Sequence, residues 1–223
     1  DWSSDVCSSD LDAARYTANL VKSSDPNKTE LQEKNMWMAR VKQEFNPQSL
    51  SDLKMSVGGS YWYSDIENNR TSAQGSRDAW ALFNTLSYKN FALSITGGEM
   101  SLDNKDSTNP NQSTFGSFDT EYDIANDGYF YTVDMNYTFK NVRDMVNITP
   151  YFVYSGFNKK QHGFADSERH IAGVAWNHKN VSLYTEYVMS KNDPFVGGTS
   201  SSLAQGDDGK MNKLLNLMFI YSF

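Results

Sequence analysis

The sequence lacks the features of a helical membrane protein and of a disulfide-linked domain. It has one cysteine among 223 residues and no long hydrophobic run. The most apolar stretch, Leu214 to Tyr221, is interrupted by Asn216 and falls short of the ~20 apolar residues that a spanning helix requires. A helical membrane protein is therefore excluded, and a single cysteine offers no internal disulfide framework.

Aromatic residues, by contrast, are abundant. Thirteen Tyr, 13 Phe and five Trp make up 14% of the chain, which is more apolar surface than a chain that stays unfolded carries. A further 21% of the residues are charged, with a net charge of −7 and no basic stripe, so nucleic acid is a poor partner. A polar chain this rich in aromatic residues is typical of β-barrels whose two faces contact different solvents.

The first eleven residues do not fit the rest of the chain. Asp1 to Leu11, DWSSDVCSSDL, show neither strand alternation nor the basic and apolar regions of a signal peptide. This segment resembles the translation of a common sequencing adapter, so we expect residues 1–11 to be extraneous and residues 12–223 to form the fold. A disordered native tail is the alternative, and in either case we expect the natural N-terminus and signal peptide to be missing.

Excluding this segment changes the composition of what remains. It removes Cys7 and three aspartates, which leaves 24 acidic residues against 20 basic ones. A remainder without cysteine has no thiolate nucleophile and no cysteine-based metal site, and it suits an oxidising compartment.

Strand alternation is clearest between Tyr129 and Phe139. Every second residue is apolar, and this set, the apolar parity, has aromatic residues at both ends and aliphatic ones between them. The residues between them, the other parity, are mostly polar. A lipid-facing strand is expected to have this grading, because aromatic rings prefer the membrane interfaces and aliphatic side chains the hydrocarbon. The apolar parity consists of Tyr129, Tyr131, Val133, Met135, Tyr137 and Phe139.

Ten segments with such patterns predict an all-β fold of about ten antiparallel strands. Most have the ~9–11 residues that a tilted strand needs to cross a bilayer. Around Phe152 and Val174 both parities are apolar, so the orientation of these two strands stays open. The segments are Ala14 to Val21, Met36 to Phe45, Leu53 to Tyr63, Trp80 to Tyr88, Phe91 to Gly98, Tyr129 to Phe139, Asn147 to Gly156, His170 to Asn177, Val181 to Ser190 and Asn212 to Phe223.

The links between these strands alternate between short and long. Four short links are predicted at Asn46 to Ser51, Lys89–Asn90, Lys140 to Val146 and His178 to Asn180. Long polar links are predicted at Lys22 to Asn35, Ser64 to Asp78, Glu99 to Gly128, Phe157 to Arg169 and Lys191 to Met211. Strict alternation predicts short turns at one end of a transmembrane barrel and long loops at the other, as in outer-membrane barrels. A soluble β-sandwich gives no reason for this regularity.

The polar parity carries charged residues within the predicted strands. A water-filled lumen would spare these charges the cost of burial in a packed core. The solvent face of an ordinary antiparallel sheet predicts the same alternation and remains an alternative. The predicted pore-lining residues are Arg15, Arg40, Lys42, Glu44, Lys54, Asp134 and Glu186.

The last strand resembles the terminal signature of bacterial outer-membrane barrels. Its apolar parity is Leu215, Leu217, Phe219, Tyr221 and Phe223, and it ends on an aromatic residue. The hairpin NVSLYTEYVMSKNDPFVGG, Asn180 to Gly198, followed by LLNLMFIYSF, resembles the C-terminal part of bacterial porins, nearest to the phosphate-selective porin O/P type.

This resemblance implies a larger assembly in the bacterial outer membrane. Porins of this type are usually trimeric barrels of 16 or 18 strands, so about ten strands would be the C-terminal portion of one, without the loop that narrows the pore. The implied partners are small hydrophilic solutes or ions, outer-membrane lipid and lipopolysaccharide, and the barrel-assembly machinery, which would recognise the terminal signature.

The charge selectivity of the predicted pore follows less directly from the sequence. Four basic and three acidic lining residues make a mixed interior, which departs from the basic rings expected of an anion pore. The predicted loop from Glu99 to Gly128 is strongly acidic. It would concentrate cations at the mouth, or it is a hydrophilic surface loop bridged by divalent cations to lipopolysaccharide.

Catalytic and metal-binding patterns are weak. His162 falls in the predicted link from Phe157 to Arg169 and His170 lies at the edge of that link, whereas His178 falls in a short turn at the opposite end. We therefore do not expect the three to act together as a hydrolase site requires. The Asp103 to Asp106 stretch lacks the turn glycine and distal Glu of a calcium loop. We therefore expect no enzyme, cofactor or metal site, but a porin for passive diffusion, or alternatively a non-conducting barrel whose outer loops bind a partner.

Overall fold

The chain is all-β over the part that the structure describes. The structure is a computed structural model that describes residues 19–47, 50–117 and 120–222. No helix in these ranges is long and apolar enough to cross a membrane. The strands are β1 (Asn19–Leu20), β2 (Leu31–Phe45), β3 (Leu53–Asn68), β4 (Ala73–Tyr88), β5 (Phe91–Asp103), β6 (Gln112–Ser117), β7 (Thr120–Ala125), β8 (Gly128–Tyr137), β9 (Phe139–Val142), β10 (Val146–Lys159), β11 (Ser167–His178), β12 (Val181–Lys191) and β13 (Asn212–Tyr221).

Ten of these strands form one large antiparallel sheet. Its order is β13-β12-β11-β10-β8-β5-β4-β3-β2, with β9 paired to β10. Apart from the step from β5 to β8, neighbours in the chain are neighbours in the sheet, so the sheet is built from successive hairpins. The expectation of an all-β fold with about ten antiparallel strands is confirmed.

The hairpin links at one end of the sheet are short. Lys89 and Lys179 begin two of them and adopt left-handed φ values of 54° and 48°, a conformation suited to a tight reversal between twisted strands. We call this the turn end of the sheet. The other end, where β5 leads into β6 and β7, is called the cap end.

Two predictions about the links and strands at the cap end are wrong. The long loop expected from Ser64 to Asp78 is a short link, because β3 continues to Asn68 and β4 begins at Ala73. Side chains in this region alternate between the two faces of the sheet like those of any strand. Because most of them are polar, the sequence shows no apolar alternation there. The acidic loop expected from Glu99 to Gly128 contains the hairpin of β6 and β7.

The first predicted strand also differs. Residues 14–18 lie outside the described residues, and Asn19–Leu20 pair with β6 in a separate three-stranded sheet of order β1-β6-β7. The large sheet therefore starts with β2, and its tenth strand is β9, the separately paired end of the predicted strand Tyr129 to Phe139.

The small sheet and its neighbouring links form a compact unit on the large sheet, which we call the cap. It comprises the described residues of 19–30, 104–127 and 192–211. The link between β12 and β13 joins it through backbone bonds, from Asp123 N–H to the Ser200 carbonyl (2.8 Å) and from Ala125 N–H to the Leu203 carbonyl (3.1 Å). The cap and the large sheet share a buried apolar cluster of Leu31, Ile66, Leu102, Phe115 and Tyr122.

Candidate functional site

The large sheet has one continuous apolar face. Residues directly opposite each other on antiparallel strands point to the same side of the sheet, so the pairing identifies the members of this face. Its middle is aliphatic and strongly exposed, with Val41 75%, Leu82 62% and Leu217 65% accessible. In a protein folded in water alone, so large an exposed apolar surface would be exceptional.

Aromatic residues border this apolar face at both ends. The rings of Trp37 and Tyr61 lie 5.3 Å apart, and the Tyr131 and Tyr154 hydroxyls lie 2.9 Å apart. Members toward the cap end include Trp37, Tyr63, Trp80, Tyr129 and Tyr187, and members toward the turn end include Phe45, Tyr88, Tyr137, Trp176 and Tyr221.

The pairing also resolves the two strands whose orientation the sequence left open. Phe152 is opposite Met135, and Val174 is opposite Pro150 and Thr185, so both belong to the apolar face. One polar residue of this face, Asn84, donates from Nδ2 to the Ser56 carbonyl (3.1 Å). This hydrogen bond lowers the cost of placing an amide among apolar side chains.

The opposite face, called the polar face, is polar from β2 to β8 and also carries aliphatic residues from β10 to β13, such as Val153, Ile171, Met218 and Ile220. It includes every described residue predicted to line a pore. Arg40, Lys42 and Glu44 are opposite Ser60, Gly58 and Ser56; Lys54 is opposite Ser87; Asp134 is opposite Ser94; and Glu186 is opposite Gly173 and Asn216. The register thus brings six residues from four strands to one surface. Arg15 lies outside the described residues, and the pore-lining role of the six stays a prediction.

A groove of about 480 Å³ crosses this polar face toward the turn end. Lys42 forms an ion pair with Glu44 at its edge (2.6 Å), and the Ser56 and Thr85 hydroxyls lie 2.6 Å apart on its floor. The groove is lined by charged and small polar side chains, including Lys42, Glu44, Lys54, Ser56, Thr85, Ser87, Ser94, Asp134 and Asn136. Charged and polar side chains of this kind are more favourably placed in water than in a packed interior.

Aromatic rings on the polar face lie flat against small residues of the adjacent strand. Phe83 is opposite Gly58, and a Cβ at Gly58 would lie 2.3 Å from the Phe83 ring. The Arg40 guanidinium lies over this ring, 4.5 Å from its centroid, in cation–π geometry. The glycine therefore lets the ring, and with it the arginine, lie close to the sheet.

The cap covers the polar face at one end. Arg77 on β4 lies over the rings of Trp62 (4.9 Å) and Phe115 (5.2 Å), and its Nη1 donates to Glu33 Oε1 (3.3 Å). Because Trp62 and Arg77 belong to the polar face, the β6–β7 hairpin folds inward over this face instead of extending away from the sheet. Sequence reasoning missed Arg77 and Glu33, because both lie in regions predicted as loops.

The acidic segment is partly neutralised within the fold, since three of its six described carboxylates form ion pairs with lysines. Its described carboxylates are either paired with lysines or hydrogen-bonded, and Asp119 lies outside the described residues. Burial raises the pKa of Asp123, whose Oδ1 accepts from Thr114 Oγ1 (2.8 Å). The ion pairs are Glu99–Lys160, Asp103–Lys105 and Glu121–Lys28, and the hydrogen-bonded members are Asp106, Asp123 and Asp127. These contacts weaken the negative electrostatic potential that the acidic composition of this segment predicts.

The histidines do not converge. His162 lies in the link before β11, and His170 and His178 are on β11, separated along the strand by ~26 Å at the usual rise per residue. His170 stacks on Tyr154 with ring centroids 4.6 Å apart, and His178 Nδ1 contacts the Met145 carbonyl. Within the described ranges, no group of three or more His, Cys, Asp or Glu could hold a metal ion.

The predicted terminal signature lies on the apolar face of β13. Leu215, Leu217, Phe219 and Tyr221 point to the same side as Tyr187 and Leu183 on β12, and Phe223 lies outside the described residues. Comparisons with known protein families, with curated proteins and with solved structures find no match for this chain.

Proposed function

We propose that this chain forms part of the wall of a bacterial outer-membrane porin, through which small hydrophilic solutes or ions diffuse passively. The apolar face would contact lipid, the polar face would line an aqueous lumen, and the cap would narrow the outer mouth. No covalent chemistry is involved: the wall excludes large solutes by size and filters small ones by charge.

The opposite character of the two faces is the observation that carries this proposal. On β8 the apolar face runs from Tyr129 to Tyr137, which is ~26 Å along the strand. After a tilt of ~40° this covers ~20 Å of membrane, which is of the same order as the ~25 Å apolar band of outer-membrane barrels. Aromatic residues at both borders also fit the two membrane interfaces.

The polar face supports an aqueous lumen in preference to a packed interior. Arg40, Lys54, Asp134 and Glu186 form no ion pair within 4.0 Å among the described residues. Burying four unpaired charges between packed layers would be strongly unfavourable, whereas water in a lumen solvates them. Because two of them are basic and two acidic, a mixed selectivity fits better than a strict anion filter.

The assembly in the membrane follows the resemblance to porins. A barrel of 16 or 18 strands needs additional strands between the outermost strands β13 and β2, since unpaired backbone groups are not tolerated in lipid. The described part of the terminal signature would present β13 to the barrel-assembly machinery. A homotrimer surrounded by lipid and lipopolysaccharide is the expected assembled state.

Planar-bilayer recording tests the proposed function. The purified, detergent-folded full-length protein, with the strands that complete the barrel, should produce stepwise conductance that scales with the salt concentration, because ions cross a water-filled lumen. A folded protein that inserts into the bilayer but stays electrically silent would contradict the porin function. Folding to a monodisperse species in buffer without detergent would contradict the membrane location as well.

The cap favours a second candidate function, a non-conducting barrel whose outer surface binds a partner as an adhesin or receptor. The cap has its own hydrogen-bonded sheet and shares a buried apolar cluster with the large sheet, so it presents a defined surface. Silent bilayers together with cell-surface binding that is lost when the cap is removed would favour this function over the porin.

A further inference from the structure

One carboxylate on the polar face is held in place from both sides. Tyr151, Gly173, Glu186 and Asn216 are directly opposite one another in a row that crosses β10, β11, β12 and β13. The Tyr151 hydroxyl donates to Glu186 Oε1 (2.5 Å), and Asn216 Nδ2 donates to Glu186 Oε2 (2.7 Å). Each carboxylate oxygen thus accepts one hydrogen bond along the wall and keeps acceptor capacity for a solute.

Gly173 makes this arrangement possible. Tyr151 reaches Glu186 by crossing the strand between them, so its ring lies directly over Gly173. A Cβ at position 173 would lie 2.4 Å from the ring Cζ and 2.7 Å from the hydroxyl. These contacts are to the far end of the tyrosine side chain and not to backbone, so an alanine would displace the ring without rebuilding the strand.

The charge on Glu186 is not neutralised by a neighbour. Among the described residues, no Lys, Arg or His lies within 4.0 Å of its carboxylate. Glu44 differs in this respect because Lys42 pairs with it at 2.6 Å. Glu186 is therefore a negative charge at a defined position, while Glu44 contributes little net field.

We propose that Glu186 is a fixed, cation-attracting charge that contributes to the charge selectivity of this face, and that Tyr151 is its positioning residue, reaching it over Gly173. This inference rests on the proposed porin function. A cation that passes the wall would exchange part of its hydration for the free lone pairs of Glu186. Tyr151 and Asn216 keep the carboxylate against the wall, so that it attracts cations without obstructing their path.

Single-channel recording of the full-length protein, with its complete barrel, tests the role of Glu186. Glu186→Gln should lower the cation-over-anion permeability ratio about twofold, the size expected for one charge acting through water at ~7 Å and screened by salt with a Debye length of ~8 Å. Tyr151→Phe and Gly173→Ala should lower it by less and raise open-channel current noise, because the released carboxylate samples several rotamers. Tyr151→Phe should have no further effect on the ratio in the Glu186→Gln background.

Tyr184→Phe is the matched control, since Tyr184 lies on the same face two residues from Glu186 but is not one of its hydrogen-bond donors. It should leave both the permeability ratio and the noise unchanged. Equal effects of Tyr151→Phe and Tyr184→Phe, or a persisting Tyr151→Phe effect without the carboxylate, would overturn the proposal.

Chemical labelling does not depend on conductance, so it tests the positioning of Glu186 separately from the proposed porin function. Carbodiimide labelling of carboxylates in the detergent-folded chain, read by peptide mass spectrometry, should modify Glu186 severalfold faster in Tyr151→Phe and Gly173→Ala than in the parent and in Tyr184→Phe. Unchanged labelling would refute the positioning role of Tyr151. If labelling is faster in these variants but the bilayers are electrically silent, the contact between Tyr151 and Glu186 is supported. The porin function would then be contradicted, and with it the role of Glu186 in selectivity.

Discussion

At the scale of single residues, small side chains decide how aromatic rings lie on the polar face. Phe83 covers Gly58, Phe130 covers Gly98 and Tyr151 covers Gly173. Trp62 is opposite Ala79 and Tyr184 is opposite Ala175. Rings that lie flat leave the space above the sheet to solvent, whereas upright rings would fill it. The size of the residue opposite each ring therefore controls how much space above the polar face stays open to solvent.

Asp123 gives a prediction at this scale. Burial raises its pKa above the ordinary value of 3.8, so its protonated form is favoured in the folded cap. Its contribution to stability is fully present below pH 3.8 and is lost as the pH rises through the folded-state pKa. Asp123→Asn should remove this dependence, since the amide stays neutral, and should slow proteolysis of the cap at neutral pH.

The measurement is limited proteolysis of the folded protein between pH 3.5 and pH 7, with a protease active over that range. Asp208→Asn is the control, because Asp208 is exposed in the same cap and its hydrogen bond with Lys210 lowers its pKa. The control should keep the pH dependence of the parent. Loss of that dependence in both variants would show that Asp123 is not its source.

At the scale of strands, consecutive side chains point to opposite faces of the sheet, and the two faces differ in polarity. Leu82 and Ala81 are consecutive residues of β4 that point to the apolar and the polar face. In an outer-membrane barrel the first would contact hydrocarbon and the second water. In the alternative of an ordinary sheet packed from one side, the apolar face would instead be a protein interior.

Paired substitutions at these two positions test the assignment of the faces. Leu82→Arg should destabilise the protein folded into lipid vesicles by about 2–4 kcal/mol, the cost of a basic residue near the bilayer midplane. Ala81→Arg should cost much less, since its charge would reach water. Urea titration of vesicle-bound protein measures both, and equal costs would contradict the assignment of lipid and water to the two faces.

At the scale of the whole molecule, the cap makes the two ends of the sheet different. The turn end has short links and a polar groove, while the cap end is covered by a folded unit that packs on the polar face. Phe115 is central to this packing, since it is 2% exposed and lies in the shared cluster and over Arg77.

Phe115→Ala should loosen the cap without unfolding the sheet. Removing a buried phenylalanine costs about 3–5 kcal/mol, and here the loss falls on the contact between the cap and the sheet. Hydrogen exchange should increase in 104–117 and 192–211 but not in β10 to β12. Phe45→Ala is the control, because Phe45 is 48% exposed and lies at the turn end of β2, away from the cap. Uniform acceleration over the large sheet in Phe115→Ala would contradict a locally docked cap.

Much of the sheet was predictable from the sequence because the pleat has a period of two residues. Alternation located the core of nine strands and assigned Arg40, Lys42, Glu44, Lys54, Asp134 and Glu186 to one parity. It failed where polar residues occupy both parities, as in the predicted loop from Ser64 to Asp78, and where apolar residues do, as around Phe152. There the pairing partners, and not the local pattern, determine the structure.

The sequence by itself determined the strand class, the parity of most strands and the apolar character of one face, because these depend on residues near one another in the chain. Only the tertiary structure decided that the acidic segment folds inward as the β6–β7 hairpin. It alone brought Tyr151, Gly173, Glu186 and Asn216 into one row. Such a row depends on the register of four strands, and register is set by the sum of cross-strand contacts between residues far apart in sequence.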